Sequence, residues 1–442
     1  MKAELNLSGR IAILGAGREG LAAFEHIAAK GSDANLVVIT ESLAGGEKEA
    51  GLLAQGVLHV SPFSQAGLGS YDVLVRSPGV SAYRNCLVAA ASAGARIVTP
   101  SSIWFAGNPD AKTIVITGTK GKSTTAALLA HLLGSAGISV QLAGNIGTPL
   151  LACKDQDVDW WVIELSSYQL ADLEARPSLG VLLNLATDHL DWHGTEARYH
   201  ADKLRLAELV SPDGLVANRS DARLRTALAD HAEVTWFDGA HGAQAVRMPP
   251  SLPGRHNRAN LAACLAVTRK LGLDDAAVLP GLDGFKGLPH RLRSVGFVNG
   301  IEFVDDSIST APIATVAALE SFSSRKVILL VGGYERGIDW LPYAEDIAKH
   351  PPAALIALPD NGPRIIRVLE NAGIKPELGS VEAENLADAV EIAGKLAPDG
   401  SVVLLSPGAP SFPRFKNYED RGHQFAKICS ELGPREQNFP DA

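Results

Sequence analysis

The stretch VITGTKGKSTT, Val115–Thr125, decides how the middle of the chain folds. The apolar run Thr113–Thr117 predicts a strand, and apolar residues spaced three and four apart after the stretch predict a helix. A glycine-rich loop between a strand and a helix is typical of a phosphate site. The common loop, G-x-x-x-x-G-K-[ST], would need a glycine where this chain has Ile116; its first glycine is Gly118. The sequence therefore predicts a phosphate loop of a variant kind.

The loop has the groups needed to bind a nucleoside triphosphate. Successive amides around Gly118–Gly121 can surround phosphates, Lys122 can reach the terminal phosphate, and Ser123 or Thr124 can bind Mg²⁺. The alternative is a glycine turn with surface lysines, which the flanking strand and helix disfavour. We expect nucleotide phosphates to contact Gly118, Thr119, Lys120, Gly121, Lys122, Ser123 and Thr124.

Further polar residues follow two other strands of this segment. The strand WWVIEL places Glu164 at its carboxyl end, where it can bind Mg²⁺ or take part in an ordinary salt bridge. After VLLNL come Asp188, His189, Asp191, His193 and Lys203. Histidine and lysine beside a nucleotide can serve metal and acyl-group chemistry, but a structural role is equally open on spacing alone.

The first segment carries a second glycine-rich loop. An apolar strand, Ile11 to Leu14, runs into Gly15–Gly20 and an Ala/Leu-rich helix, and a second strand ends at Glu41. This is the dinucleotide-binding pattern, with helix amides facing a diphosphate and a carboxylate facing a ribose. The alternative is a glycine turn that only lets strand and helix pack closely.

Strand and helix patterns alternate along the whole chain, which predicts an α/β protein with parallel sheets. TPSSIWFAGNPDAK reads as a linker near residue 100, and FKGLPHRL marks a second boundary. We therefore predict three domains: a Rossmann-like domain at 1–100, a central P-loop domain with a parallel sheet at 101–287, and a Rossmann-like domain at 288–442.

Three more groups lie near the second boundary. Asn260 lies in a predicted helix start, where asparagine can cap the helix or contact a purine. Arg291 between domains is suited to hold a phosphate. Asp305 and Asp306 end a strand, where they can orient a ribose or a cationic substrate, or cap the next helix.

Composition excludes several classes of function. The 442 residues are 46% hydrophobic and 20% charged, with a net charge of −9, which argues against nucleic acid or an anionic membrane as partner. The start of the chain lacks a signal-peptide core, and no apolar run is long enough to span a membrane, so we expect a cytoplasmic protein. Four widely spaced cysteines suggest reduced thiols. We expect small-molecule substrates and a monomer.

These motifs, in this order, resemble the Mur ligase family, the ATP-dependent amide-forming enzymes of peptidoglycan synthesis. The family loop T-G-[TS]-x-G-K-[ST]-[ST] matches Thr117–Thr124, and the family signature GNIG matches Gly144–Gly147. The resemblance implies ATP, two Mg²⁺ ions and a lysine carbamate formed from CO₂ at Lys203. It implies metal ligands at Ser123, Glu164, His189 and Lys203, and catalytic residues at Lys122, Asn145, His189 and Lys203. It also implies that Asn260 contacts adenine, Arg291 the phosphates and Asp306 the ATP ribose.

Within the family, the C-terminal LLSPGAPSFPRFKNYEDRGHQFA and the SPGV at Ser77–Val80 resemble the subgroup that adds glutamate to UDP-N-acetylmuramoyl-L-alanine. The subgroup implies that the first domain binds UDP rather than NAD. The implied contacts are Gly15, Ala16, Gly17, Arg18, Glu19, Gly20, Glu41, Ser77, Pro78, Gly79 and Asn145. The implied reaction passes through an acyl phosphate, which the glutamate amine then attacks.

One stretch departs from the subgroup that uses D-glutamate. That subgroup has N-D-S-K-A-T-N where this chain has Asp305–Ala311, so its lysine is Ile308 here, and its GGxxK lysine is Arg336. Losing a cation beside an anionic substrate changes how its carboxylates are held. We therefore favour L-glutamate over D-glutamate, bound by Thr310, Arg336, Ser411 and Tyr418. Alternatives are a folylpolyglutamate synthase-like ligase, an NAD-dependent oxidoreductase and a P-loop switch protein.

Overall fold

The computed structural model describes residues 5, 7–31, 35–43, 45–154 and 157–432. Its strands form three sheets, one in each predicted domain. Contacts between residues group the chain into two compact units. Unit 1 comprises the residues up to 245 together with 258–282. Unit 2 comprises 246–257 and the residues from 283 on. The predicted first domain and most of the predicted central domain thus belong to one unit.

The first sheet is parallel, with strand order β3-β2-β1-β4-β5. Its strands are β1 (Ile11–Leu14), β2 (Leu36–Thr40), β3 (Leu58–Val60), β4 (Val73–Arg76) and β5 (Arg96–Val98). Its helices are α1 (Arg18–Ala29), α2 (Glu47–Ala54) and α3 (Asn85–Ser92), and they are followed by α4 (Pro100–Gly107). Helix α1 starts at Arg18, within the Gly15–Gly20 stretch, so the glycine motif leads from β1 into a helix as predicted.

Helix α4 occupies the stretch that we interpreted as a linker, so that interpretation was wrong. Thr99 caps the helix by accepting a hydrogen bond from the Ser102 amide, and Pro100 fills the first helical position, where it fits well. Ile103, Trp104 and Phe105 are buried in the same core cluster as the sheets on either side. The proline thus starts a helix there.

The second sheet is also parallel, with order β11-β10-β9-β6-β8-β7. Its strands are β6 (Thr113–Thr117), β7 (Val140–Gly144), β8 (Trp160–Glu164), β9 (Leu179–Leu182), β10 (Leu215–Asn218) and β11 (Thr235–Phe237). The helices of this part are α5 (Lys122–Ser135), α6 (Ser167–Leu170), α7 (Leu190–His193), α8 (Glu196–Leu209), α9 (Ala222–Ala227), α10 (Arg255–Lys270) and α11 (Asp275–Val278). Strand β6 is central, so its carboxyl end lies among those of its neighbours.

The third sheet has order β12-β13-β17-β14-β15-β16. Its strands are β12 (Arg293–Val298), β13 (Ile301–Asp305), β14 (Val327–Val331), β15 (Ala354–Ala357), β16 (Ser380–Glu382) and β17 (Val402–Leu405). Its helices are α12 (Pro312–Ser321), α13 (Ala344–Lys349), α14 (Gly362–Asn371), α15 (Leu386–Leu396) and α16 (Tyr418–Glu431).

This sheet corrects the expectation of parallel strands throughout, because β12 and β13 pair antiparallel. Val298 lies opposite Ile301, and the two residues between them, Asn299 and Gly300, both have positive φ. Asn-Gly is the preferred pair for such a two-residue hairpin turn. That signal was visible in the sequence and was missed.

Candidate active site

The phosphate loop joins β6 to α5, and two of its glycines are sterically required. Gly121 has φ of 86°, and a Cβ there would lie 2.5 Å from Oδ1 of Asn260. A Cβ on Gly118 would lie 2.8 Å from Cβ of Leu183. Asn260 therefore lies directly against the loop, and its contact with adenine stays a prediction.

Asn184, which sequence reasoning did not select, holds the loop from the neighbouring strand. Its side-chain oxygen accepts from the Lys120 amide at 2.9 Å, and its Nδ2 donates to the Lys120 carbonyl at 3.0 Å. Its own carbonyl accepts from the Thr119 amide at 3.0 Å. These three bonds fix the loop backbone beside the carboxyl end of β9.

The two lysines of the loop have different partners. Nζ of Lys122 donates to the Thr119 carbonyl at 3.2 Å, so this ammonium group lies along the loop. Nζ of Lys120 instead lies 3.2 Å from the Asp188 carboxylate. Lys122 is therefore the cation placed within the phosphate loop itself.

Glu164 ends β8 with its side chain 1% exposed. One carboxylate oxygen accepts from Nδ2 of Asn145 at 2.9 Å, but the other, Oε2, is buried without a hydrogen-bond partner. Burying a carboxylate oxygen without a partner costs free energy, which a bound cation would offset. Because Mg²⁺ prefers oxygen ligands, Glu164 fits a magnesium site.

Gly144 allows the close approach of this pair. Its φ is 102°, and a Cβ there would lie 2.3 Å from the Glu164 carbonyl oxygen. That carbonyl accepts from the Asn145 amide at 2.9 Å. The GNIG stretch thus places the Asn145 side chain against the Glu164 carboxylate.

His189 begins the α7 segment in a left-handed conformation, with φ of 52°. Its side chain is 46% exposed, and its ring lies edge-on to Tyr168. Burial lowers the pKa of His189; Asp188 opposes this shift, and Lys203 and Lys122 add to it. A neutral imidazole is the form that can bind a metal.

Lys203, on α8, is 1% exposed, and its Nζ donates to the Gly118 carbonyl at 2.9 Å. Burial, and then the neighbouring Lys122 ammonium, hold the pKa of Lys203 well below its usual range. Such an amine is neutral more often than an exposed lysine and is correspondingly more nucleophilic. It lies beside the phosphate loop, where the resemblance implies a carbamate.

A magnesium ion at this site would need ligands in addition to protein carboxylates and imidazoles. Within the described residues, no group of three or more His, Cys, Asp and Glu side chains is placed to hold a metal ion. Magnesium usually keeps several waters and uses substrate phosphates together with one or two protein oxygens. Glu164 is suited to such a site, and the metal role of Ser123 stays a prediction.

A cavity of about 460 Å³ lies where the first and second sheets of unit 1 meet. The residues that the resemblance implies for UDP contact all line this cavity, except Gly20 and Glu41. Gly20 has a packing role, since a Cβ there would lie 2.0 Å from the Gly15 carbonyl.

The Glu41 carboxylate pairs with Arg84 at 2.8 Å, so its contact with uridine or ribose stays a prediction. Thr40, Ser42, Leu43 and Glu49 line the cavity instead.

Buried polar contacts join the wall of this cavity to the P-loop region. Nε of Arg76 donates to Asp172 at 2.8 Å, and its Nη2 donates to the Tyr168 carbonyl at 2.8 Å. Tyr83 donates to Asp202 at 2.5 Å, and Asp202 also contacts the buried His193 at 2.6 Å. These residues fix the SPGV stretch relative to helices α6 and α8.

In unit 2, Asp306 is enclosed by its own unit. Its carboxylate accepts from the Ser309 hydroxyl, from the Ser406 hydroxyl at 2.8 Å and from the Leu292 amide at 3.2 Å. Burial raises the pKa of Asp306 to about 6. The acid therefore holds three chain segments together, and its ribose contact stays a prediction. Nε of Arg291 is buried without a hydrogen-bond partner.

Three of the four residues expected to bind glutamate follow neighbouring strands. Thr310 follows β13, Arg336 follows β14 and Ser411 follows β17. These strands are adjacent and parallel, so their carboxyl ends share one edge of the sheet. Tyr418 starts α16, and its ring lies 6.1 Å from that of His290. Ile308, in the same region, donates its amide to the His290 carbonyl at 3.2 Å.

Comparison with known proteins identifies the family. The Mur ligase middle domain matches residues 116–248, and the Mur ligase MurD-like N-terminal domain matches residues 9–99. The chain is 42% identical over 444 residues to a "UDP-N-acetylmuramoyl-L-alanine--L-glutamate ligase" of Xanthomonas oryzae pv. oryzae (strain MAFF 311018), covering 95% of this chain and 94% of that protein. The chain belongs to the Mur ligase family.

Other relatives agree. A protein of the same name from Micromonospora sp. (strain ATCC 39149 / NRRL 15099 / SCC 1413) is 38% identical over 450 residues, covering 96% of this chain and 98% of that protein. The UDP-N-acetylmuramate-alanine ligase MurC of Thermotoga maritima has a similar fold, with a TM-score of 0.61, 19% identity, and coverage of 96% of this chain and 100% of that one.

The family assignment confirms the resemblance and makes this chain an ATP-dependent ligase, with the α/β fold that was predicted. The oxidoreductase and switch-protein alternatives are thereby dropped. Among the described residues of this Mur ligase, no helix is long and apolar enough to cross a membrane. The roles of its individual site residues stay predictions.

Proposed function

We propose that this Mur ligase adds L-glutamate to UDP-N-acetylmuramoyl-L-alanine, using ATP and an acyl-phosphate intermediate. The observation that carries the proposal is the sheet edge formed by Thr310, Arg336 and Ser411, where the lysine of the D-glutamate subgroup is replaced by Ile308. The names of the relatives, which are 38–42% identical over nearly the whole chain, support the same stereochemistry.

The chemistry is assigned to the residues of unit 1. Lys122 offsets charge on the phosphates of ATP while the alanyl carboxylate attacks the γ-phosphorus, forming one O–P bond and releasing ADP. The glutamate amine then attacks the acyl carbon, loses a proton, and displaces phosphate. Bound Mg²⁺ would supply Lewis-acid stabilisation of the phosphate charges, held by Glu164, Ser123 and His189.

Lys203 is the proposed site of the carbamate. Its neutral amine would attack CO₂, forming an N–C bond and releasing one proton, to give an anionic group beside the phosphate loop. The low pKa and the position of Nζ, 2.9 Å from the Gly118 carbonyl, support this role. The anion would help to hold a second Mg²⁺. The monomeric state and the cytoplasmic location remain predictions.

Oxygen-isotope transfer tests the acyl-phosphate step. Substrate labelled with ¹⁸O in the alanyl carboxylate is incubated with ATP, Mg²⁺ and L-glutamate, and the released phosphate is examined by mass spectrometry. One labelled oxygen is expected in phosphate for each amide bond formed. Amide product with unlabelled phosphate would contradict the mechanism, and absence of product with either glutamate enantiomer would contradict the proposed function.

A further inference from the structure

Glu19 is a half-buried acid at the wall of the 460 Å³ cavity. It is the second residue of α1, after the N-cap Gly17, and it lines the cavity beside Arg18 and Gly15. The first amides of a helix lack intrahelical partners and attract anions. An acidic side chain is unexpected at that place if a diphosphate is to bind there, since like charges repel.

The hydrogen bond of Glu19 has a fixed direction. The side-chain oxygen of Gln169 accepts from the Ser166 amide at 2.8 Å and from the Ser166 hydroxyl at 2.9 Å. Its Nε2 must therefore point the other way, and it donates to Oε1 of Glu19 at 2.9 Å. Gln169 is 1% exposed, so this arrangement is held by packing. Glu19 thus receives a neutral partner.

Other charged groups near Glu19 have partners of their own. Arg18, on the same helix, donates to the Gly147 carbonyl. Arg76, on β4, is bonded to Asp172 and to backbone carbonyls. Glu49, on α2, accepts from the Gly45 and Gly46 amides at 2.8 and 3.1 Å.

The elements β1, β2 and α4, which pack against α1, have no ionisable side chain. Burial raises the pKa of Glu19 to about 7, although Arg18 and Gln169 lower it.

We propose that Glu19 must carry a proton when the diphosphate of the UDP-linked substrate occupies this cavity, so that substrate binding takes up a proton from solvent. Protonated Glu19 keeps its bond from Gln169 and offers its O–H to the substrate instead of a negative charge. Glu19 is thus a substrate-binding residue that makes substrate affinity depend on pH. This inference rests on the proposed function.

The test is the affinity for UDP-N-acetylmuramoyl-L-alanine, without ATP or Mg²⁺, from pH 6 to 9. Its diphosphate is a diester and keeps its charge over this range, whereas the terminal phosphate of free UDP would titrate near about pH 6. Near pH 6, below the pKa of about 7, Glu19 is mostly protonated, so Kd is expected to level off there. Above pH 7, Kd is expected to rise about tenfold per pH unit.

Glu19→Gln keeps the shape and the bond to Gln169 but needs no proton. Its Kd is expected to be independent of pH, and about thirtyfold lower than that of the unchanged protein at pH 8.5. Glu25→Gln is the matched control, because Glu25 lies on an exposed part of the same helix and pairs with Lys48. It is expected to keep the pH dependence of the unchanged protein.

Calorimetry of the unchanged protein in buffers of different ionisation enthalpy counts protons without any variant. Uptake of about one proton is expected at pH 8. A Kd that stays constant to pH 9, no proton uptake at pH 8, or the same slope in Glu19→Gln would overturn the inference while turnover with glutamate continued. Absence of binding at every pH would overturn both the inference and the proposed function.

Discussion

At the scale of single residues, the sequence predicts the site residues that belong to a recognisable motif. Gly118, Gly121 and Lys122 lie where the loop pattern places them, and Glu164 ends a buried strand with a carboxylate oxygen that has no hydrogen-bond partner. Asn184 and Arg76 were missed because their roles depend on the strands beside them. An asparagine after an apolar run has no pattern of its own, and only the sheet order brings it under the loop.

Lys122→Ala is expected to lower kcat by about 10³ or more, since it removes the cation placed within the phosphate loop. Steady-state phosphate release measures the effect. Lys154→Ala is the control, because Lys154 is an exposed lysine of the same unit and is expected to leave kcat unchanged. A kcat within threefold of the unchanged enzyme in Lys122→Ala would contradict the assigned role.

Lys203→Ala is expected to lose activity and to regain part of it with formate or acetate, because a small carboxylate can replace the carbamate. Activity is measured across a concentration series of the acid. Lys122→Ala serves as the comparison and should gain nothing, since it lacks a cation instead of an anion. Full activity of Lys203→Ala without added acid would refute the carbamate.

At the scale of elements, alternating patterns predicted strands in each of the three sheets, and errors arose where one local signal was read wrongly. Pro100 was taken as a breaker although it starts α4, and Asn299-Gly300 was not recognised as a hairpin turn. Both errors concern turn and cap chemistry, in which a few residues decide the path of the chain.

Gly121→Ala tests the fit between the P-loop and α10. The new Cβ would meet Oδ1 of Asn260 at 2.5 Å in a residue with φ of 86°. We expect a loss of about 1–3 kcal/mol in stability and weaker ATP binding, measured by thermal unfolding and by titration. Gly134→Ala is the control, because Gly134 lies within α5 facing open space and its change should stabilise the helix slightly. Equal behaviour of the two variants would contradict this account.

Asp172→Ala tests the contacts that hold the SPGV stretch against α6. Arg76 is fully buried, so losing its carboxylate partner leaves a charge without its counterion, and we expect a loss of about 2 kcal/mol or more in the free energy of unfolding. The exposed pair of Arg96 and Glu174 provides the control: Glu174→Ala should change the free energy by less than about 1 kcal/mol. Similar losses in both variants would argue against a special role for Arg76.

At the scale of the whole molecule, the resemblance of the motifs and their order to the Mur ligase family predicted the enzyme class, and the family assignment confirms it. We assign the choice of amino acid to few positions. Ile308 and Arg336 differ from the D-glutamate pattern, while the phosphate loop and Glu164 follow the family. A sequence shows which cation has been lost, but the enantiomer depends on where the remaining groups hold two carboxylates and an amine.

The most direct test of the central claim is phosphate release from ATP with UDP-N-acetylmuramoyl-L-alanine and either L- or D-glutamate, each free of the other enantiomer. We expect L-glutamate to support turnover with kcat/KM about 10²-fold or more above that for D-glutamate, because an inverted centre misplaces either the amine or a carboxylate. Release with D-glutamate alone would contradict the stereochemical claim, and no release with either enantiomer would contradict the assignment of glutamate as substrate.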